Sequence, residues 1–345
     1  MTSTPPPDGR MAKWILLLTL LIALAARLAV GQEPEAGGPA GDLYERAKRA
    51  SVEILVDDHL DGSGWFTDAE GLLFTAAHVI DRPDRRIEVL SPAVGRLDAK
   101  VAAVDLGHDL VLLRVEPREG GYPALKLGEK LPPPGQDVFL LGAPLFRHHL
   151  LLRGMVASDE TAFGYYTGKY VESIHLAATV QSGTSGAPWL NRSGEVVALQ
   201  SGVMSMNSIP IGVANAIPLA ALRALLESRR TTATPTLGIA VEEPWQQGRD
   251  LLNRYPPRSE GLVVKILQDD KPAARAGLKQ WDLIVAADDQ KVRLSGELLR
   301  IVRGKRPGDP LKLTVLGPDG TGQREVTVPL GKLEVAWPPP EDAPD

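Results

Sequence analysis

The chain has 345 residues, 43% of them hydrophobic, which is enough to bury a sizeable core and to form two domains. Its net charge of −5 comes from interspersed acids and bases, so no basic field is offered to nucleic acid. There is no cysteine, which excludes disulfides, thiolate metal sites, a cysteine nucleophile and lipid attachment through an N-terminal cysteine.

Arg10 and Lys13 precede an apolar run from Trp14 to Ala26, closed by Arg27. The run is short for a spanning helix and suits a signal-peptide core, with Ala29 and Gly31 placing cleavage before Gln32. If Arg27 snorkels, residues 1–31 instead stay as a single N-terminal anchor. Either way the rest of the chain is expected to be exported. A Pro/Gly/Glu linker fills 32–41, and a first globular domain is expected over 42–228.

Within that domain Leu43–Ala50 reads as a short helix and Ser51–Val56 as a strand. Gly62–Thr67 reads as a turn into a second strand, and Asp68–Gly71 as a hairpin loop. The apolar run Leu72–Ile80 then carries one histidine, His78. Downstream, Leu110–Val115 is a near-continuous hydrophobic strand with Asp109 at its mouth. A carboxylate there can be buried against an imidazole N–H, fixing its tautomer. Asp105 reads as a turn or capping residue, and His108 should point away from Asp109 because neighbours on a strand alternate.

Further on, Gly183-Thr184-Ser185-Gly186 places a serine among glycines, where backbone N–H groups can turn toward an incoming carbonyl. Taken singly, a glycine-rich turn and a packed histidine are ordinary structural features, and a serine needs a base and an orienting carboxylate to act as nucleophile. Here both partners are present. The order His78, Asp109, Ser185 is that of the chymotrypsin-like proteases, not of subtilisin-like enzymes or α/β-hydrolases. His148-His149 has no spaced third ligand and reads as a solvated loop, so no metal is expected.

The stretches Gly62–Phe66, Thr75–Val79, Asp109–Leu113 and Gly183–Pro188 together resemble the HtrA (Deg) family of exported serine proteases. Ala124–Gly128, Val138–Pro144, Gly194–Leu199 and Gly212–Pro218 extend the likeness. The resemblance implies a mainly β fold, a trypsin-like double six-stranded β-barrel followed by a PDZ domain. It implies that Ser185 is the nucleophile, His78 the general base and then acid, and Asp109 the orienting carboxylate. The N–H groups of Gly183 and Ser185, helped by Thr184, would form the oxyanion hole. Val180 and Met204 match the walls of the substrate pocket, and Ser201 belongs to the edge strand Leu199-Gln200-Ser201 that would pair with substrate backbone. Since no acid falls at Val180 or Met204, small or medium aliphatic side chains are expected at the cleaved position. No cofactor is implied. The implied partners are unfolded or damaged proteins, peptide C-termini, and two further copies of the chain in a trimer built through the start of the protease domain.

Leu219–Ser228 reads as a helix closing the first domain, 229–235 as a linker, and 236–332 as the PDZ domain. Leu237-Gly238-Ile239 resembles the loop whose backbone captures a chain terminus. Residues 333–345 read as a disordered Pro-rich acidic tail. The sequence departs from the family pattern at Ala187, Trp281 and Asp289, where glycine is usual, and at Thr184, where asparagine is. The segment Leu176–Ser182 also lacks the usual acid and proline. Ala187 and the altered segment before Ser185 keep a second reading open, a protease-fold scaffold with weak or no catalysis.

Overall fold

The computed structural model describes residues 39–80, 85–166, 168–207, 209–319 and 321–334. The expected leader or anchor over 1–31, most of the 32–41 linker and the tail from 335 lie outside the described residues. No helix among the described residues is long and apolar enough to cross a membrane. Helix α1 (Pro39–Ala50) buries Leu43, Ala47 and Ala50, which recur at helical spacing.

Six strands follow: β1 (Ser51–Val56), β2 (His59–Phe66), β3 (Leu72–Ala76), β4 (Ile87–Ser91), β5 (Gly95–Asp105) and β6 (Leu110–Val115). They close into a barrel in the order β1-β2-β3-β6-β5-β4. Every residue of β3 is buried, because one face fills the barrel and the other meets a strand of the next barrel. That is why its sequence runs apolar without alternation. Strand β2 starts earlier than the sequence suggests and runs straight through Gly62 and Gly64. A side chain at Gly62 would lie 2.8 Å from the carbonyl of Ser185, so the glycine serves close approach of a second loop more than a turn.

The second barrel comprises β7 (Asp137–Gly142), β8 (Leu150–Val156), β9 (Ala162–Tyr166), β10 (Lys169–Ala177), β11 (Pro188–Leu190), β12 (Val196–Met206) and β13 (Ile209–Pro218). The β10–β13 pairing closes β7-β8-β10-β13-β12-β11 into a six-membered ring around Trp189. Strand β9 stays outside the ring, hairpinned onto β10. Helix α2 (Leu219–Ser228) then folds back over β5, β6 and β12, burying Leu219, Leu222 and Leu225. This is the mainly β double barrel that the sequence led us to expect.

The remaining strands are β14 (Pro235–Thr236), β15 (Ile239–Glu242), β16 (Leu262–Leu267), β17 (Leu283–Ala287), β18 (Gln290–Lys291), β19 (Pro310–Leu316), β20 (Arg324–Pro329) and β21 (Gly331–Lys332). They form the sheet β15-β16-β17-β19-β20, with β18 on β17 and a separate β14–β21 pair. Short helices α3 (Arg249–Leu252) and α4 (Pro272–Arg275) and the longer α5 (Ser295–Arg303) complete the domain. Two of the departures from glycine have local explanations. Asp288 and Asp289 are the two loop residues between β17 and β18, both at positive φ, as a tight hairpin requires and aspartate tolerates. Trp281 itself takes φ 72°, with its carbonyl accepting the Tyr255 hydroxyl and Lys265 over its ring at 5.3 Å. These contacts offset a backbone conformation that costs a bulky residue roughly 1–2 kcal/mol.

Candidate active site

The β3–β6 ladder brings His78 and Asp109 together. Ala76 pairs with Leu110, so the residues just after β3 stand opposite the residue just before β6. The N–H of Ala77 extends the ladder onto the carbonyl of Asp109 at 2.8 Å. Asp109 adopts φ 57°, which turns its carboxylate back toward the short helical turn carrying His78. Its Oδ1 accepts the His78 backbone N–H at 3.0 Å, and its Oδ2 accepts the imidazole Nδ1–H at 2.7 Å. A third donor reaches the same carboxylate, the Ser201 hydroxyl at 2.6 Å from Oδ2.

These contacts set the electrostatics. Burial alone would raise the Asp109 pKa, but His78, Lys169 and the Ser201 hydroxyl hold it below the usual carboxylate range. For His78 burial opposes the charged form and Lys169 adds to that, yet the facing carboxylate outweighs both and raises the pKa above the ordinary value. The imidazole is thus poised to accept a proton and keep it until a leaving group needs it.

Ser185 comes from the loop before β11. Its carbonyl accepts the Ser63 N–H at 2.8 Å, and its hydroxyl donates to the carbonyl of Ser201 at 3.1 Å. Among the described residues the hydroxyl makes no bond to His78, so activation by that imidazole would require it to rotate; such bonds often tighten only with substrate present. The N–H groups of Gly183 and Ser185 have no protein acceptor among the described residues, whereas those of Thr184, Gly186 and Ala187 are all taken. Two free donors on one tight loop are what a developing oxyanion requires. Thr184, expected to help them, instead gives both its N–H and its hydroxyl to the carbonyl of Gln181. It braces the loop and is not available to a ligand. Ala187 is accommodated because it packs against Gly142, where a side chain would fall 3.0 Å from its methyl.

The other sequence-derived residues are placed as follows. Val180 is sunk in the core of the second barrel, whereas Met204 is 39% exposed on β12. Ser201 is on β12, but its side chain turns to Asp109, a role that nothing in the local sequence signalled. Leu237 and Ile239 are buried in the core of the last domain. Gly238 between them has φ 76°, with its N–H on the Thr236 hydroxyl at 3.2 Å. His148 is exposed and bonds to Glu53 at 2.6 Å. His108, as expected, turns away from Asp109. It pairs with Asp105 at 2.8 Å and Glu172 at 3.3 Å. Burial disfavours its charged form, but the two carboxylates raise its pKa to about 9.

That pairing has a measurable consequence. A histidine whose folded pKa exceeds its unfolded value of ~6.5 stabilises fully below that value and loses the contribution as pH rises through the folded pKa. The thermal midpoint is therefore expected to fall between pH 6.5 and about 9. His108→Gln should flatten that slope, which calorimetry across this window would read.

With this geometry in view, comparison with known proteins is direct. Residues 62–199 match the trypsin-like peptidase domain and residues 235–329 the PDZ domain. The chain is therefore similar to a trypsin-like peptidase domain followed by a PDZ domain, and HtrA-type proteases are among the solved structures that share its fold. A protein of Ectopseudomonas mendocina named "Probable periplasmic serine endoprotease DegP-like" is 28% identical over 280 residues, covering 79% of this chain and 56% of that protein. A protein of the same name from Pseudomonas putida is 29% identical over 304 residues, covering 84% and 62%. The chain thus spans a little over half the length of these curated relatives. Among solved structures, the HtrA-type protease AlgW with decapeptide superposes with TM-score 0.63 at 21% identity, covering 87% of this chain and all of that one. The serine endoprotease from Yersinia pestis gives 0.61 at 23%, with the same coverage. At such identities the structures speak for the fold.

Proposed function

We propose that this chain is an extracytoplasmic serine endopeptidase that hydrolyses unfolded or damaged proteins through an acyl-enzyme. The observation that carries the reading is the Asp109 carboxylate bonded to His78, beside a Ser185 loop with two unclaimed N–H donors. The relatives' names support both the activity and the compartment. In this mechanism His78 Nε2 takes the Ser185 proton as the hydroxyl attacks the scissile carbonyl. The Gly183 and Ser185 N–H groups hold the resulting oxyanion, and the imidazolium, balanced by Asp109, protonates the departing amine. Water then repeats the cycle on the ester. Val180 and Met204 carry no charge, which supports aliphatic side chains at the cleaved position.

The experiment is to expose the full purified chain to a fluorophosphonate and to denatured casein. Adduct formation at Ser185, and casein cuts after small or medium aliphatic residues, are the expected results. A folded chain that neither labels nor cleaves, with or without C-terminal peptides, would establish the scaffold reading instead.

Residues 236–332 would capture peptide C-termini along β15, which is the edge strand of its sheet. That edge is engaged in this structure. The Tyr170 hydroxyl, from β10 of the second barrel, accepts the Val241 N–H at 2.7 Å and donates to the Val241 carbonyl at 3.2 Å. A peptide pairing there has to displace it. Tyr170→Phe is expected to tighten binding of a labelled peptide with an aliphatic C-terminus about two- to ten-fold, the worth of one net hydrogen bond. Fluorescence anisotropy would measure this.

A further inference from the structure

Helix α5 of the PDZ domain reaches the turn that carries the catalytic carboxylate. Arg303, in its last turn, donates through Nη2 to the carbonyl of Tyr170 at 2.7 Å and to that of Gly107 at 3.3 Å. The approach to Gly107 is so close that a Cβ there would fall 2.0 Å from Arg303 Nη1. Gly107 stands two residues before Asp109. We propose that Arg303 is a positioning residue for the Asp109 carboxylate, acting across the two domains through the carbonyl of Gly107. The inference rests on the protease reading above.

The left-handed Asp109 is held from two sides. Downstream, the β3–β6 ladder and the Ala77 N–H fix its carbonyl. Upstream, the chain is a tight turn in which the Asp105 carboxylate takes the Gly107 N–H at 3.0 Å and the Asp105 carbonyl takes the His108 N–H at 3.3 Å. These bonds shape the turn but do not anchor it to the body of the protein. It is tied to β10 and to helix α5 by the Gly107 carbonyl, which accepts the Glu172 N–H at 3.1 Å as well as the Arg303 guanidinium, and to β10 also by the His108–Glu172 pair at 3.3 Å. A guanidinium suits this place because its planar fork serves two carbonyls at once and its charge strengthens both bonds. The charged groups around it are Asp105, Glu172, His108 and Lys169, and the two carboxylates oppose the cost of burying the arginine. Without Arg303, Gly107 keeps one neutral donor, and the direction in which Asp109 leaves the turn is less constrained. A carboxylate displaced from His78 holds the imidazole less firmly and stabilises its protonated form less.

The test uses the full chain with Arg303→Met, Arg303→Lys, Gly107→Ala and the Arg303→Met/Gly107→Ala double variant. Gly107→Ala breaks the same contact from the protease side by pushing the guanidinium away. Arg303→Met is expected to lower kcat on the order of ten-fold with KM little changed, less than the ~10²-fold that a 1 Å misplacement costs. The acid limb of its pH profile should move to lower pH, since His78 loses part of the carboxylate that raises its pKa. Lysine should restore part of the rate. The double variant should lose no more than either single one, because both remove one contact. An unchanged kcat and acid limb in folded Arg303→Met, or additive losses in the double variant, overturns the inference while leaving the protease reading intact. If Arg303→Met does not fold, Gly107→Ala against wild type decides by the same two readouts. A wild type that fluorophosphonate fails to label removes the protease reading and the inference with it.

Discussion

Alanine at Ser185 or His78 is expected to lower peptide hydrolysis by about 10⁶-fold, and asparagine at Asp109 by about 10⁴-fold. On the proposed mechanism the first two losses follow from removing the nucleophile or the group that takes its proton. The third follows from counting donors. In this structure the Asp109 carboxylate accepts three hydrogen bonds, one on Oδ1 and two on Oδ2. An asparagine must put an NH₂ group at one of those two places. At the Oδ2 place it faces the imidazole and forces the His78 proton onto Nε2, where it can no longer accept from Ser185. At the Oδ1 place it faces the fixed backbone N–H of His78, donor against donor. The first orientation leaves the base in the wrong tautomer, and the second keeps the tautomer only with a buried donor facing a donor and without the charge that stabilises the imidazolium.

The pH dependence supplies a second readout. On the proposed mechanism catalysis needs neutral His78, so activity should rise as pH passes through its pKa. The facing carboxylate holds that pKa above the ordinary value, and the acid limb of wild-type kcat/KM should therefore lie above pH ~6.5. Removing the charge at 109 leaves burial and Lys169, both of which disfavour imidazolium, so the limb should move down. Initial rates on one peptide from pH 5 to 9 would record both effects. An Asp109→Asn variant with near-wild-type kcat would take Asp109 out of the mechanism.

The three residues of the proposed triad stand out in the sequence because each lies at the end of a strongly apolar strand or in a glycine-rich loop, and because their order matches that of the chymotrypsin-like proteases. The barrel strands were legible where burial on both faces makes continuous apolar runs, as in β3 and β6. What the sequence hid depends on contacts between distant elements. Ser201 is an ordinary strand serine until the fold brings it 2.6 Å from a carboxylate 92 residues away. Hairpin β9–β10 carries a mixed polar and aromatic pattern because part of it lies against the PDZ domain, through Tyr170 and Gln268, and not against its own barrel. Helix α5 is absent from the sequence reading although its buried Leu298, Leu299 and Val302 recur at helical spacing; at nine residues it is shorter than the stretch over which that period is usually read. The left-handed backbone of Asp109 also has no sequence signature, since aspartate at a strand mouth is compatible with extended structure too. Thr184 shows the converse. A polar residue at the expected place served the loop's internal bonding and not the ligand.

Gly183→Ala is expected to lower kcat by about 10²–10³-fold, the cost of losing one oxyanion donor, with a much smaller change in KM. The residue sits at φ 92°, where any side chain is strained. Its environment makes the strain hard to relieve. A Cβ would fall 2.3 Å from the carbonyl oxygen of Ala143, a main-chain atom that cannot swing aside as a side chain would. The carbonyl of Gly183 is itself held by the Ser63 hydroxyl at 2.8 Å, so the residue cannot slide without breaking a buried bond. The remaining route is rotation of the peptide unit, which turns the Gly183 N–H out of the site and leaves Ser185 as the single donor. Because the ground-state carbonyl depends less on these donors than the tetrahedral oxyanion does, the loss belongs in kcat. Fluorophosphonate labelling should slow alongside, since the phosphoryl oxygen occupies the same hole. An alanine variant that hydrolyses and labels at the wild-type rate would show that Gly183 contributes no donor, and that the oxyanion is held by other groups.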